Sequence, residues 1–203
     1  MPKKPEFPRR EEFLNAALAR FSRSGYSATS TREICADLNI VPSAMYNYFP
    51  SKEAVILAIE EREMTQMLEV YQSVVLATDG QPAARLAGLV TCTFEQAIVR
   101  RASWRLMADM IRSLQPENRE HVIERRDAVE RMVRNGLEQA IEAKLIPPQD
   151  IKLACLQLFS MAEGMSGWYR TDGAYAPSHI TSHATLFFLR AIGASEGLLQ
   201  HAP

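Results

Sequence analysis

Ser43, Tyr46 and Asn47 follow one another at i, i+3 and i+4, which gathers a hydroxyl, a phenol and a carboxamide on one face of a short helix with Pro42 at its tip. Small, polar and aromatic groups arranged in this way suit contact with base edges, and such a helix enters a DNA major groove roughly 12 Å wide. Met45 and Phe49, also four apart, must then point inward. The bare pattern equally describes an ordinary helical hairpin in an all-α domain.

The stretch that must position this trio begins at Ser30. Its hydroxyl can accept from the Glu33 N–H while the Glu33 carboxylate reaches back to the Ser30 N–H, a capping box that starts a helix. Ile34 and Leu38 supply one apolar stripe, and Asn39 tolerates the positive φ of a sharp turn. Pro42 then fits the first turn of a second helix, where its missing N–H is not needed. Two short helices joined by a tight turn make a helix-turn-helix.

Phe21, Gly25, Tyr26, Thr29, Ser30, Arg32, Glu33, Ile34, Leu38, Ile40, Tyr46, Tyr48, Phe49, Ser51, Lys52 and Glu53 stand in an order and spacing that resembles the amino-terminal signature of the tetracycline-repressor (TetR) family of bacterial transcription regulators. The resemblance implies a three-helix DNA-binding head, a larger helical ligand-binding body and a homodimer. With it, the DNA-binding set becomes Ser30, Thr31, Arg32, Pro42, Ser43, Tyr46, Asn47, Tyr48 and Lys52. Lys52 falls in the first turn of a long helix, where a phosphate can meet both a cation and the positive end of the helix dipole. Two positions depart from the family: Asn39 replaces the usual glycine, and Val41, a poor N-cap, stands where Ser or Ala is common.

A formal net charge of −1 over 203 residues argues against a DNA partner until the chain is divided. Residues 1–52 hold eight Lys or Arg against five acids, and the remainder holds fifteen against nineteen, so a basic head sits before an acidic body. The composition, 47% hydrophobic and 23% charged, is that of a globular protein. Cys35, Cys92 and Cys155 are widely spaced inside helical patterns and are expected as buried reduced thiols. With no apolar run near 18 residues and no signal segment, a cytoplasmic location without membrane contact is expected.

The expected architecture is all-α with about nine helices, divided into residues 1–52 for DNA and 53–203 for ligand and dimerisation. Residues 1–8 read as an arm; helices are expected over about 9–24, 52–77, 82–101, 103–113, 116–143, 149–170 and 177–192, besides the two of the helix-turn-helix. The last two long helices carry more apolar residues than one layer of neighbours covers, among them Leu153, Leu156, Trp168, Leu186 and Phe187, so a twofold-related copy is expected there. Trp104, Met107, Met110, Ile111, Met132, Phe159 and Trp168 are candidates to line a pocket for an apolar or amphipathic effector, and each also suits a filled core. The stretches GMSGWYRTDGAYAP and LQPENRE resemble family members that sense fatty-acyl or steroid-derived coenzyme A thioesters; Arg105, Arg112 and Arg170 are candidates for an acidic ligand group.

No cofactor, metal or catalytic residue is expected. There is no phosphate-cradling glycine loop, nucleophile elbow or H-E-x-x-H, and the scattered Ser, His and acidic residues fix no triad. His179 and His183 have a spacing able to chelate a divalent ion, but no third ligand lies on the same turns. The alternative function is a helical small-molecule carrier or thioester-acting enzyme with a vestigial DNA-binding head.

Overall fold

Helix boundaries follow the local chemistry of the chain in the computed structural model, which describes residues 10–203 except the side chains of 107–109 and 112. The expected arm at residues 1–8 lies outside the described residues. α1 (Arg10–Ser24) stops at Gly25, whose φ of +81° lets its N–H bond the Phe21 carbonyl at 2.8 Å. α2 (Thr31–Asp37) starts from the expected capping box: the Ser30 N–H donates to Glu33 Oε2 at 2.7 Å and the Glu33 N–H to Ser30 Oγ at 3.3 Å.

The turn after α2 is a Schellman motif. Asn39, at φ +54°, takes the left-handed position; its N–H meets the Ala36 carbonyl at 3.1 Å, and the Ile40 N–H meets that of Cys35 at 3.0 Å. α3 (Pro42–Tyr46) has Val41 at its N-cap with no side-chain bond and Pro42 inside its first turn. Five residues cannot hold a helix in water alone, so α3 depends on its inward side chains. Met45 and Phe49 are almost wholly buried, and the Phe49 ring stacks on Phe13 of α1 with centroids 5.3 Å apart. Burial of a side chain of that size contributes about 2–3 kcal/mol.

α4 (Lys52–Ala77) opens with Ser51 Oγ accepting from the Ala54 N–H, and α5 (Pro82–Val99) and α6 (Arg101–Met110) follow. Three residues past α6, Ile111–Ser113, tighten into a 3₁₀ turn, and α7 (Pro116–Glu142) begins at the next proline. α8 (Ile151–Trp168) is capped by Asp150, and α9 (Pro177–Ala191) again starts on proline. A short α10 (Glu196–Leu199), capped by Ser195, is a tenth helix beyond the nine expected; one turn is too brief to leave an apolar period in the sequence. The described residues form helices joined by turns and loops, with no strand, and no helix among them is long and apolar enough to cross a membrane.

Two compact units result. The first runs to Met64 and adds Ala102–Val122, so the expected division at residue 52 falls inside it. Its core joins Phe13, Leu14, Phe21, Ile34, Met45 and Phe49 to Val55, Ile56 and Ile59 of α4, and to Leu106, Met110 and Leu114. The second unit is Thr65–Arg101 with Ile123–Pro203, and in it α5 packs against α8 and α9. There Tyr71, fully buried, donates its hydroxyl to Thr93 Oγ1 at 2.8 Å. The three cysteines are buried and unpaired, as their placement in helical patterns suggested. Burial raises the Cys92 thiol to about 12 and the Cys155 thiol to about 11.

Candidate nucleic-acid interface

The outer face of α3 assembles as its spacing implied. Ser43 and Asn47 are exposed, Tyr46 and Tyr48 expose 53% and 57% of their surface, and Pro42 is half-buried at the start. An aromatic side chain as exposed as that of Tyr46, at the end of a five-residue helix, adds little to the core and offers apolar surface to a partner. Val41, 59% exposed, extends the same surface.

α2 crosses behind as support. Arg20 of α1 grips Asp37 with two nitrogens, Nε to Oδ2 at 2.8 Å and Nη2 to Oδ1. That hydrogen bond from Arg20 is the main cause holding the Asp37 carboxyl below the usual range; partial desolvation opposes it, and Arg23, 3.8 Å away, adds attraction. The Glu33 carboxyl is lowered in the same way, first by the Ser30 backbone N–H and then by its hydroxyl. Ser30 and Glu33 are therefore occupied with each other. Arg32 is exposed and Thr31 half-buried, so of the candidates on α2 it is the Arg32 guanidinium that stands in solvent.

Lys52 is placed differently from a simple surface cation. Its ammonium donates to the Tyr26 and Thr29 carbonyls, both at 3.0 Å, and lies 4.4 Å from the centroid of the Tyr26 ring. Two of its three N–H groups thus pin the loop between α1 and α2 to the first turn of α4. Beside it, Glu53 Oε1 accepts from the Gln115 N–H at 3.0 Å and from Asn118 Nδ2 at 2.9 Å. Neither pairing is visible from local spacing, since the partners lie 23 to 65 residues away.

The candidate effector residues are scattered. Met110 is fully buried in the first unit's core, Ile111 packs against that core, and Trp104 is half-buried on α6. The Met107 and Arg112 side chains lie outside the described residues. In the second unit Met132 and Phe159 are half-buried, Arg170 is paired with Asp172 at 2.8 Å, and Trp168 is 60% exposed. Trp168 lines a groove of about 500 Å³ with Phe94, Met161, Met165, Tyr175 and His179, residues the sequence did not single out as a set. Only the mixed aromatic and methionine composition of α8 and α9 hinted at it. His179 and His183 both border this groove, and the Tyr175 ring stacks on His179 at 5.6 Å. Leu153, Leu156 and Phe187 continue an exposed apolar face along α8 and α9.

Comparison with known proteins agrees with this arrangement. The domain family described as "Bacterial regulatory proteins, tetR family" matches residues 13–59, and "Tetracyclin repressor-like, C-terminal domain" matches residues 79–192. The HTH-type transcriptional repressor KstR2 of Mycobacterium tuberculosis H37Rv is 29% identical over 167 residues, 81% of this chain and 83% of that protein. The solved structure of the ketosteroid transcriptional regulator KstR2 of M. tuberculosis superposes with a TM-score of 0.84 at 25% identity, covering 95% of this chain and 98% of that one. AibR, solved in complex with isovaleryl coenzyme A and operator DNA, shares the fold with a TM-score of 0.74 at 19% identity, over 92% and 100% of the two chains.

Proposed function

The chain belongs to the TetR family of bacterial regulatory proteins, and from that premise we propose that it is a homodimeric, ligand-responsive repressor acting on a palindromic operator. Residues 1–52 read the DNA, and residues 53–203 bind the effector and dimerise. The observation that carries this reading is the outward set on α3, where Ser43, Tyr46 and Asn47 stand in solvent while Met45 and Phe49 are buried behind them. Pro42, Ser43, Tyr46 and Asn47 meet base edges, Thr31, Arg32, Tyr48 and the third N–H of Lys52 face phosphates, and Ser30 serves by capping the helix that carries Thr31 and Arg32.

The exposed apolar face of α8 and α9 supports a dimer through those helices. Two recognition helices then meet successive major grooves roughly 34 Å apart. An effector releases DNA by binding more tightly to a dimer whose recognition helices are spaced wrongly for the operator; equal affinity for both spacings shifts nothing. For its class we favour an amphipathic acyl-coenzyme A thioester seated in the second unit among Met132, Phe159 and their neighbours. The AibR complex supports this, because a protein of the same fold accommodates isovaleryl coenzyme A and operator DNA.

The test is a mobility-shift titration of purified protein with DNA from upstream of its own gene, followed by addition of isovaleryl coenzyme A and longer acyl thioesters. A sequence-specific complex of two chains per palindrome, dissolved by a thioester, is the expected result. Failure to form any specific complex at low salt, together with turnover of the thioester, refutes the repressor reading in favour of an enzyme.

A further inference from the structure

Lys52 and Glu53 occupy the same turn of α4 and bind different segments of the first unit. Lys52 takes the carbonyls of Tyr26 and Thr29 in the approach to α2. Glu53 takes the Gln115 N–H and the Asn118 carboxamide at the start of α7, and both bonds fall on the single atom Oε1. A carboxylate there also meets the positive end of the α7 dipole, and the Gln115 N–H is one of the donors that no helical partner satisfies. α4 and α7 are the two helices that begin in the first compact unit and continue into the second. Their first turns are therefore tied together by one carboxylate oxygen, and that oxygen sits one residue from the pin on the helix-turn-helix.

We propose that Glu53 is a positioning residue for operator recognition. By locking the first turn of α4 to the first turn of α7 it fixes the direction in which α4 leaves the helix-turn-helix, and so narrows the half-site spacings that the dimer accepts. The inference rests on the homodimeric reading above. It extends that reading by naming the residue that makes spacing selective, and Asn118 as its partner. A simple capping role for Glu53 makes a different prediction, because loss of a cap lowers stability and weakens binding to every DNA alike.

The experiment begins with selection of preferred sequences from a random duplex library by the full-length wild-type protein. Affinities are then measured for the selected palindrome and for versions with one or two base pairs added or removed between half-sites; each base pair displaces a half-site by about 3.4 Å and turns it by roughly 34°. Glu53→Ala is expected to reduce the preference for the best spacing over its one-base-pair neighbours by about tenfold, the scale of losing hydrogen bonds to a charged group. Base preference within each half-site should stay as in the wild type. Glu53→Gln should restore the wild-type spacing profile, since its amide oxygen can accept both bonds.

Equal weakening at all spacings in Glu53→Ala, or an unchanged profile, overturns the proposal, as does a Glu53→Gln profile that matches Glu53→Ala. Should Glu53→Ala fail to fold, Asn118→Ala removes one of the two donors from the other side and must broaden the profile in the same direction. A wild-type protein that selects no palindrome refutes the homodimeric reading instead, and does so before any variant is made.

Discussion

Replacing Lys52 by methionine keeps a stem of similar length and removes only the ammonium. In the wild type that ammonium donates to two carbonyls at 3.0 Å and faces the Tyr26 ring at 4.4 Å. Hydrogen bonds from a charged donor contribute about 1.5–3 kcal/mol each when well shielded, and half-burial of Lys52 reduces the pair to roughly 2 kcal/mol together. For a chain of this size, 2 kcal/mol lowers Tm by roughly 4–8 °C, readable by calorimetry or circular dichroism. Lys52→Met should therefore melt well below the wild type in the absence of DNA. If its third N–H also meets a phosphate, the slope of log affinity against log salt becomes shallower by about 0.9. A variant with wild-type Tm would show that the two carbonyl bonds contribute no net stability, and the account of Lys52 as a pin would be wrong.

Three further outcomes test other parts of the head. Asn47→Ala should leave Tm unchanged, since the side chain is exposed, but should relax base preference at one position of each half-site by about 1–3 kcal/mol in a binding-site selection. Asn39→Ala should lower stability by about 1 kcal/mol and Asn39→Gly should not, because the residue sits at φ +54°, where a Cβ without a local hydrogen bond is disfavoured; urea melts decide it. The Asp37 carboxyl is held low chiefly by its hydrogen bond from Arg20, so its contribution is present above the ordinary aspartate value of about 3.9 and is lost as pH falls through the lowered one. Thermal melts from pH 7 to pH 3 should show that acid-side loss reduced in Asp37→Asn; equal losses in both proteins would exclude the pair as a cause.

Much of the head was legible because its signals are local. The capping box needs only Ser30 and Glu33, the turn needs only a residue tolerant of positive φ at Asn39, and the first turn of α3 needs only Pro42. The inward and outward faces of α3 follow from a period of 3.6 alone. The same logic located α4, α7 and α9 closely, since prolines and a serine mark their starts. It misplaced α6, expected from residue 103 and found from Arg101, because α5 already ends at Val99, where the Arg100 N–H bonds the Gln96 carbonyl. A helix end fixed by backbone bonding carries little mark in side-chain type.

The candidate effector residues were less legible for the opposite reason. A methionine that fills a core and one that lines a pocket have the same period and polarity, and only packing distinguishes them. Met110 is enclosed with Leu106 and Leu114, whereas Met161 and Met165 border an open groove, although all lie on amphipathic helices. Long-range polar pairs are hidden in the same way. A lysine in the first turn of a helix reads as a phosphate ligand, and nothing in its local sequence marks the Tyr26 and Thr29 carbonyls to which it also donates. This has a mechanical consequence for DNA recognition. Because α3 is too short to hold its own shape, its pose belongs to Met45 and Phe49, so residues that never touch a base should still change which operators are bound.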